Sequence, residues 1–419
     1  MKNEKALYAV IDLKSFYASC ECVARGLDPF TTPLIVSDPE RNESSIVMSS
    51  SPFLKEKYHI PNVCRRRDVP KSIPGLIIAQ PRMAHYIETS AKVVSILLDF
   101  VSEEDLHVYS IDESFINIGP YLSLSGKSPE QFVSDIQKTI KRQTGLTATA
   151  GIGPNMFLAK ICLDNEGKKK PPFLARWEYG DVPTKLWKIS PITKIWGISS
   201  GTEAHLKRIG IRSIEALAKT DVDLLTNEFG IMGKQLHDLA NGRDGSDIRE
   251  KYVPKEKSLS IGQTLMRDYS AKEAELIIRE MCDDLCLRLR EEGKKARLVG
   301  LYVGYDAETG GGFSRQASLD KGSDDNDVLY HALMELFHRH IEDFPVRRLG
   351  LSFGRMIGSN IDQLDVFEDF EESQKRGQCQ RAIDKIQLSY GKNSCLRASS
   401  LTEASTIKER HGQIGGHKA

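Results

Sequence analysis

The stretch HVYSIDESFINI, residues 107–118, decides the fold, because it predicts two short strands that fold around an acidic pair. Apolar residues flank Asp112 and Glu113 on both sides. Neighbouring residues in a straight strand point to opposite faces of a sheet. Both carboxylates can therefore face one site only if the chain turns or bulges between the two strands.

A third carboxylate follows a similar apolar run near the start of the chain. Residues 7–11 predict a buried strand that ends at Asp12. Two unit charges about 4 Å apart repel by roughly 1 kcal/mol in water and about 4 kcal/mol near a protein surface. A fold that brings Asp12, Asp112 and Glu113 together therefore needs positive charge to balance the three carboxylates. Carboxylate oxygens suit Mg²⁺, which binds them together with substrate phosphates. The pattern indicates two-metal phosphoryl or nucleotidyl transfer, with these three residues as catalytic groups.

The elements around the carboxylates predict a ferredoxin-like βαββαβ unit. In its second helix, Ile87, Ala91, Val94 and Leu98 recur at helical spacing and are expected to face the core. A proline-punctuated module follows the first helix. The predicted members of the unit are strands at 7–11, 107–118 and 147–152 and helices at 13–24, 83–100 and 129–144.

The remainder of the chain predicts further domains, as its length of 419 residues suggests. Residues 183–242 favour short helices joined by glycine turns. A second βαββαβ-like order follows at 258–355, and the polar tail predicts one helix at 378–390. The strands expected in the second order are 298–305 and 349–353, and its helices are 271–292 and 326–341.

Composition indicates an ordinary soluble protein, with 40% hydrophobic and 28% charged residues. No apolar run approaches the roughly 20 residues of a membrane span, and no secretory signal is visible, so a cytoplasmic location without membrane contact is expected. The cysteines have no zinc-like spacing and are expected to be reduced thiols. Net charge is +0, but basic clusters occur at 65–67 and 168–170.

Three motifs carry a family resemblance. DLKSFYAS at 12–19, YSIDESF at 109–115 and TAGIGPNMFLAKI at 149–161 resemble the Y-family of lesion-bypass DNA polymerases, in particular the bacterial UmuC-like branch that includes UvrX-type UV-damage repair proteins. The resemblance implies an α+β, right-hand polymerase fold with a ferredoxin-like palm, small fingers, a helical thumb and an α/β little finger. The implied boundaries are palm 1–20 and 76–167, fingers 21–75, thumb 168–245, linker 246–257, little finger 258–357 and tail 358–419.

The same resemblance implies a low-fidelity translesion DNA-directed DNA polymerase of the DNA-damage (SOS) response. Its substrates would be primer–template DNA and deoxyribonucleoside triphosphates, and SOS accessory proteins are further implied partners. Asp12, Asp112 and Glu113 would hold two Mg²⁺ ions, with the carbonyl of Leu13 as an added ligand.

Nucleotide-binding residues are also implied. Phe16 and Tyr17 follow the first carboxylate, and Tyr17 occupies the family's steric-gate position, where a ring leaves no room for a 2′-hydroxyl. Lys160 lies near the start of a helix after a glycine-containing loop, a place that favours phosphate, and the family uses such a lysine for the triphosphate.

The fingers depart from the pattern of many relatives, which carry a tyrosine and an arginine that clasp the triphosphate. Phe53 and Glu56 stand at roughly these positions. Lys55 or Arg67 can supply the missing positive charge, and the sequence does not choose between them.

DNA and clamp contacts are expected outside the palm. Residues 195–211 resemble a helix-hairpin-helix, whose glycines let backbone N–H groups approach a phosphate. QLDVF at 363–367 resembles the peptide that docks bacterial polymerases on the sliding clamp, with hydrophobic anchors and a polar fixer. The expected DNA-binding residues are Gly197, Ser199, Gly201, Lys257, Ser258, Ser260 and Arg267, and the expected clamp-binding residues are Gln363, Leu364 and Phe367.

Two alternatives use the same residues differently. A nucleotide cyclase can place similar carboxylates on a similar sheet, although the thumb-like hairpin and the second sheet domain argue against it. A repair scaffold can bind DNA and clamp without catalysis, although the acidic trio argues against that.

Overall fold

The chain forms two compact units, and the computed structural model describes residues 6–250, 257–359 and 370–419. The first unit ends at residue 251 and the second begins at residue 252. The expected linker therefore lies partly outside the described residues, and the clamp-like peptide at 363–367 lies wholly outside them. Across the described ranges, no helix is long and apolar enough to cross a membrane.

Within the described residues, the first unit contains a five-stranded central sheet, a three-stranded sheet, a two-stranded sheet and a helical region. Its strands are β1 (Tyr8–Leu13), β2 (Leu34–Val36), β3 (Ile46–Val47), β4 (Ser49–Ser50), β5 (Cys64–Arg65), β6 (Ile77–Ala79), β7 (Leu106–Val108), β8 (Glu113–Asn117), β9 (Ala148–Gly153) and β10 (Leu174–Arg176). Its α-helices are α1 (Phe16–Ala24), α2 (Pro52–Tyr58), α3 (Met83–Leu98), α4 (Gly119–Ser125), α5 (Pro129–Thr144), α6 (Met156–Cys162), α7 (Ser200–Arg208), α8 (Ile214–Lys219), α9 (Val222–Phe229) and α10 (Ile231–Ala240).

The central sheet has the strand order β10-β9-β1-β8-β7. β1 is antiparallel to both neighbours, β7 and β8 form a hairpin, and β10 joins β9 in parallel. Without β10, this is the ferredoxin-like βαββαβ unit that the sequence predicts. Core side chains such as Ile11, Leu97, Ile116 and Ile136 are buried between this sheet and its helices, and each contributes roughly 1.5–3 kcal/mol.

The predicted buried face of α3 is wrong. Ile87 and Leu98 are 45% and 43% exposed, whereas Tyr86, Val93 and Leu97 are buried. The two sets of residues are offset by one position, which is about a quarter of a helical turn. Apolar residues occupy both stripes, so spacing alone does not decide which stripe meets the sheet.

The segment between α1 and α3 forms its own small sheet, β4-β2-β6, and the short helix α2. The N-terminus of α2 is capped by Ser51, whose Oγ accepts a hydrogen bond from the N–H of Leu54. Farther along the chain, α7 to α10 enclose a separate core that includes Leu206, Leu217 and Leu225.

The second unit repeats the βαββαβ element order but pairs its strands differently, as β11-β14-β12-β13. Its strands are β11 (Leu259–Tyr269), β12 (Lys294–Tyr305), β13 (Gly312–Ser323), β14 (Val346–Gly354), β15 (Ile357–Gly358), β16 (Gln413–Ile414) and β17 (His417–Lys418). Its α-helices are α11 (Ala271–Glu291), α12 (Asn326–His340), α13 (Phe370–Tyr390) and α14 (Ile407–His411).

The C-terminal tail packs back on α11. Asp384 in α13 lies 2.6 Å from Arg290 near the end of α11. Arg410 and His411 both bind Asp284 in the middle of that helix, at 2.9 and 2.8 Å. These partly buried ion pairs make the described part of the tail a component of the second unit.

Candidate active site

The three predicted carboxylates lie at one end of the neighbouring strands β1 and β8 of the central sheet. In the register of β1 and β8, Asp12 is directly opposite Glu113. The N–H of Leu13 donates to the carbonyl of Asp112 over 2.9 Å. The chain turns before β8, where the N–H of Ser110 donates to the carbonyl of Glu113 at 3.0 Å. The expected turn is therefore present, and it brings both members of the acidic pair next to Asp12.

Each of the two buried carboxylates, those of Asp12 and Glu113, forms an ion pair with a lysine. Nζ of Lys168 lies 2.9 Å from Oδ2 of Asp12, and Nζ of Lys160 lies 2.8 Å from Oε2 of Glu113. Asp164 joins the two pairs, at 3.0 Å from Lys168 and 3.2 Å from Lys160. The site is thus a connected network of alternating charges.

The lysines do not fully compensate the buried negative charge. Burial raises the pKa of Asp12 above its ordinary value even though Lys168 opposes the shift. Burial likewise raises the pKa of Glu113 against the effect of Lys160. Oε1 of Glu113 is buried and has no hydrogen-bond partner among the described residues. Additional positive charge at this edge would therefore be stabilising.

The ligand atoms present are of the type that binds a divalent cation. Carboxylate and carbonyl oxygens are hard ligands that suit Mg²⁺. Among the residues that the structure describes, however, no three His, Cys, Asp or Glu side chains converge closely enough to hold a metal ion as they stand. Oδ1 of Asp112 accepts a hydrogen bond from Oγ of Ser110 at 2.8 Å.

Lys168 lies in the site, although the sequence indicates it only as part of a basic cluster. After α6, residues Leu163–Gly167 form a π-helical turn, and the N–H of Lys168 donates to the carbonyl of Leu163 at 3.0 Å. The extra residue in this turn brings Lys168 over Asp12. Such turns are rare and often occur at functional sites, but helical periodicity does not reveal them.

Tyr17 is held in place by a second aromatic ring. Its ring stacks on that of Tyr86, with centroids 4.6 Å apart and an interplanar angle of 29°. The hydroxyl of Tyr86 donates to the buried carboxylate of Glu21 at 2.9 Å, and Arg82 binds the same carboxylate. Burial and then the charge of Asp112 raise the pKa of Tyr17.

Lys55 is partly buried and lies within electrostatic range of Asp12. Burial and then the positive charge of Lys14 lower the pKa of Lys55 to about 8, while Asp12 opposes the shift. Nζ of Lys14 in turn donates to the carbonyl of Lys168 at 2.9 Å. The side chain of Arg67 is 65% exposed and lies 3.9 Å from Asp68. Of the two candidate cations, Lys55 on α2 is therefore the one influenced by the charge of Asp12, whereas Arg67 is exposed beside Asp68.

The predicted DNA-binding residues fall in both units. Gly197 has a φ of +91°, and no atom lies within 4 Å of the position that a Cβ would take there. Ser199 caps α7, and its Oγ accepts a hydrogen bond from the N–H of Thr202. The backbone before α7 is therefore open to a close neighbour. Gly201 is exposed in the first turn of that helix.

In the second unit, Lys257, Ser258 and Ser260 are exposed at the start of β11. Arg267 is already engaged, because it forms an ion pair with Glu273 at 2.5 Å and its guanidinium lies over the ring of Tyr269.

Comparison with known proteins gives the family. Residues 11–164 match the impB/mucB/samB family, and residues 256–366 match the C-terminal domain of that family. UvrX of Bacillus subtilis, described as a UV-damage repair protein, is 37% identical over 98% of this chain and 97% of its own length. DNA polymerase IV 2 of the same organism is 33% identical over 100% of both chains.

A solved structure shows the same fold. A Y-family DNA polymerase chimera of Dbh and Dpo4 superposes with a TM-score of 0.67 at 21% identity, covering 84% of this chain and 99% of its own. The chain belongs to the impB/mucB/samB family, the UmuC-like group of Y-family DNA polymerases.

Proposed function

We propose that the protein is a low-fidelity translesion polymerase that adds deoxyribonucleotides to a primer 3′ end by two-metal nucleotidyl transfer in the DNA-damage (SOS) response. That the chain is a DNA-directed DNA polymerase follows from its family. The observation that supports the two-metal mechanism is the pairing of Asp12 with Glu113, two buried carboxylates whose charge is incompletely compensated.

On this proposal, Asp12, Asp112, Glu113 and the carbonyl of Leu13 would hold two Mg²⁺ ions. When bound, the ions supply activation of the primer hydroxyl and neutralisation of the triphosphate and leaving group. Asp12 and Glu113 are positioned by the β1–β8 register, and Asp112 by the turn before β8. Binding of the two ions would thus require side chains to move, whereas the strands could keep their positions.

The lysines would have different roles in binding the triphosphate. Lys160 was expected to bind it, but its buried contact with Glu113 favours a role in orienting that carboxylate. Lys168 is better placed, because its side chain is 33% exposed and sits on Asp12. Lys55 would add positive charge from α2, in place of the fingers arginine of many relatives.

A primer-extension assay tests the activity. We expect Mg²⁺-dependent addition of single deoxyribonucleotides to an annealed primer and insertion opposite a damaged template base. A cyclase would convert nucleotide without a template, and a scaffold would bind DNA without incorporation. Either result would contradict the proposal.

Lys55 gives a pH prediction. With a pKa of about 8, its charge falls from about nine-tenths at pH 7 to about one-tenth at pH 9. The KM for the incoming nucleotide is therefore expected to rise several-fold over this interval. Lys55→Arg should remove most of the rise, because a guanidinium stays charged throughout. An unchanged pH profile of KM in Lys55→Arg would show that another group is responsible.

Clamp binding is proposed for residues 363–367 on the sequence resemblance alone. Replacing Leu364 and Phe367 by alanine is expected to abolish stimulation of primer extension by the bacterial sliding clamp and to spare activity without the clamp. Asp365→Ala is the matched control and should respond to the clamp normally. Equal stimulation of the double variant and the control would refute the docking assignment.

A further inference from the structure

The tryptophan before α7 joins the helical region of the first unit to its central sheet. Trp196 packs partly against the core enclosed by α7 to α10 and partly against an apolar cluster of the sheet that includes Val10 and Phe115. Its indole Nε1 donates a hydrogen bond to the hydroxyl of Tyr109 over 3.1 Å. Because Tyr109 lies between β7 and β8, the contact reaches the hairpin that holds the acidic pair.

Aromatic contacts surround this hydrogen bond. The rings of Tyr109 and Trp196 meet edge to face, with centroids 5.8 Å apart and an interplanar angle of 86°. Both rings also contact Phe115 in β8, whose centroid lies 5.6 Å from that of Tyr109 and 5.9 Å from that of Trp196. Phe115 is fully buried, whereas Tyr109 is 47% exposed. The half-exposed tyrosine is therefore held between a buried ring of the sheet and a tryptophan from a distant part of the chain.

Tyr109 is connected to the acidic pair through the backbone. The N–H groups of Tyr109 and Ser110 both donate to the carbonyl of Glu113 at 3.0 Å. Oγ of Ser110 donates in turn to Oδ1 of Asp112 at 2.8 Å. A displacement of Tyr109 would therefore disturb the turn that presents Asp112 and Glu113.

Trp196 belongs to the turn that is expected to approach DNA. The N–H of Ile198 donates to the carbonyl of Ile195 at 3.0 Å, which closes a turn with Trp196 and Gly197 at its centre. Gly197 has a φ of +91°, a conformation that favours glycine at this place in a turn. Ile195 and Ile198 are buried in the helical core, and Gly197 is exposed. The ends of the turn are thus anchored, while its centre contacts the sheet through Trp196.

We infer that Trp196 and Tyr109 are positioning residues for the polymerase reaction. Through their contact, the turn at Gly197 supports the Asp112–Glu113 turn in the arrangement that binds the metal ions. The inference rests on the proposed two-metal function and deepens it, because it adds two residues that act through the carboxylates. Loss of the contact should weaken cation binding while both cores stay folded, since a single hydrogen bond is a small part of either core.

Trp196→Phe tests the contact, because it keeps a ring against Phe115 and removes the hydrogen-bond donor. We expect the Mg²⁺ concentration for half-maximal nucleotide insertion to rise about fivefold, as the loss of one hydrogen bond allows. The Kd for primer–template DNA and the thermal unfolding midpoint should stay unchanged. A merely structural role would lower the unfolding midpoint and leave the Mg²⁺ dependence as it was.

Tyr109→Phe removes the acceptor of the same hydrogen bond and should shift the Mg²⁺ requirement equally. The double variant should show no further shift, because either substitution already breaks the bond. Additive shifts would overturn the inference, and so would an unchanged Mg²⁺ requirement in both single variants.

Trp187→Phe is the matched control. Nε1 of Trp187 donates to the carbonyl of Ala240 at 2.9 Å, so this variant loses an indole hydrogen bond of the same kind that does not involve Tyr109. Its Mg²⁺ requirement should be unchanged. An equal shift in Trp187→Phe would assign the effect to general loosening of the helical region and would also overturn the inference.

A measurement without turnover separates this inference from the polymerase proposal. Mn²⁺ suits the same oxygen ligands and can be followed by electron paramagnetic resonance in the complex with primer–template DNA. We expect Trp196→Phe to weaken Mn²⁺ binding about fivefold, and Trp187→Phe to leave it unchanged. If the unaltered protein binds Mn²⁺ but incorporates no nucleotide, the polymerase proposal fails while this comparison still holds. Equal Mn²⁺ affinity in Trp196→Phe and the unaltered protein would refute the positioning role.

Discussion

Asp112→Ala is expected to reduce template-directed incorporation by about 1000-fold or more, equivalent to roughly 4 kcal/mol of transition-state stabilisation. On the proposed two-metal mechanism, Asp112 is a ligand together with Glu113 and Asp12, which pair across β1 and β8, so its loss removes one of the groups that hold the cations. The measurement is single-nucleotide insertion under single-turnover conditions, at saturating nucleotide and in Mg²⁺.

The matched control for this prediction is Ser110→Ala. The hydroxyl of Ser110 donates to Asp112 at 2.8 Å, so its removal frees the carboxylate without deleting it. We expect incorporation within about tenfold of the unaltered protein, since the substitution removes one hydrogen bond to the carboxylate but leaves the carboxylate itself in place. Asp112 is only partly buried, and both variants should keep their thermal unfolding midpoints. Incorporation by Asp112→Ala within tenfold of normal would remove this residue from the catalytic set.

The order of elements around the site could be predicted, because the apolar residues of each strand and helix recur at the spacing typical of that element. The strand before Asp12 and the turn at Asp112 appear where the pattern places them. β13, by contrast, was not predicted. Its run of glycine, serine and charged residues lacks the apolar alternation of a half-buried strand, and its place at the sheet edge comes from pairing with β12.

The finer features of the site depend on tertiary contacts that a single sequence does not encode locally. Lys168 follows a π-helical turn and lies 2.9 Å from Asp12. That turn packs on β9 so closely that a Cβ at Gly167 would lie 2.3 Å from the carbonyl oxygen of Ala150. The partial burial of Lys55 likewise depends on tertiary packing around α2. Neither relation leaves a periodic signal in the chain.

Tyr17→Ala is expected to lower discrimination against ribonucleotides by about 100-fold, the equivalent of about 2.7 kcal/mol of steric clash. The ring of Tyr17 stacks on that of Tyr86, and this contact opposes a movement of the ring away from a 2′-hydroxyl. Insertion of deoxyribonucleotides should remain largely intact. The measurement is the ratio of kcat/KM for matched deoxyribo- and ribonucleoside triphosphates.

Tyr17→Phe is the matched variant, because it keeps the volume and the stack but loses the hydroxyl. We expect it to discriminate normally, since exclusion depends on the ring. Loss of the stack in Tyr17→Ala costs about 0.5–1.5 kcal/mol beyond the area effect, so its unfolding midpoint will fall. The ratio for the two sugars is independent of that loss, because both substrates meet the same folded protein. If Tyr17→Ala leaves this ratio unchanged, sugar selection lies with another residue.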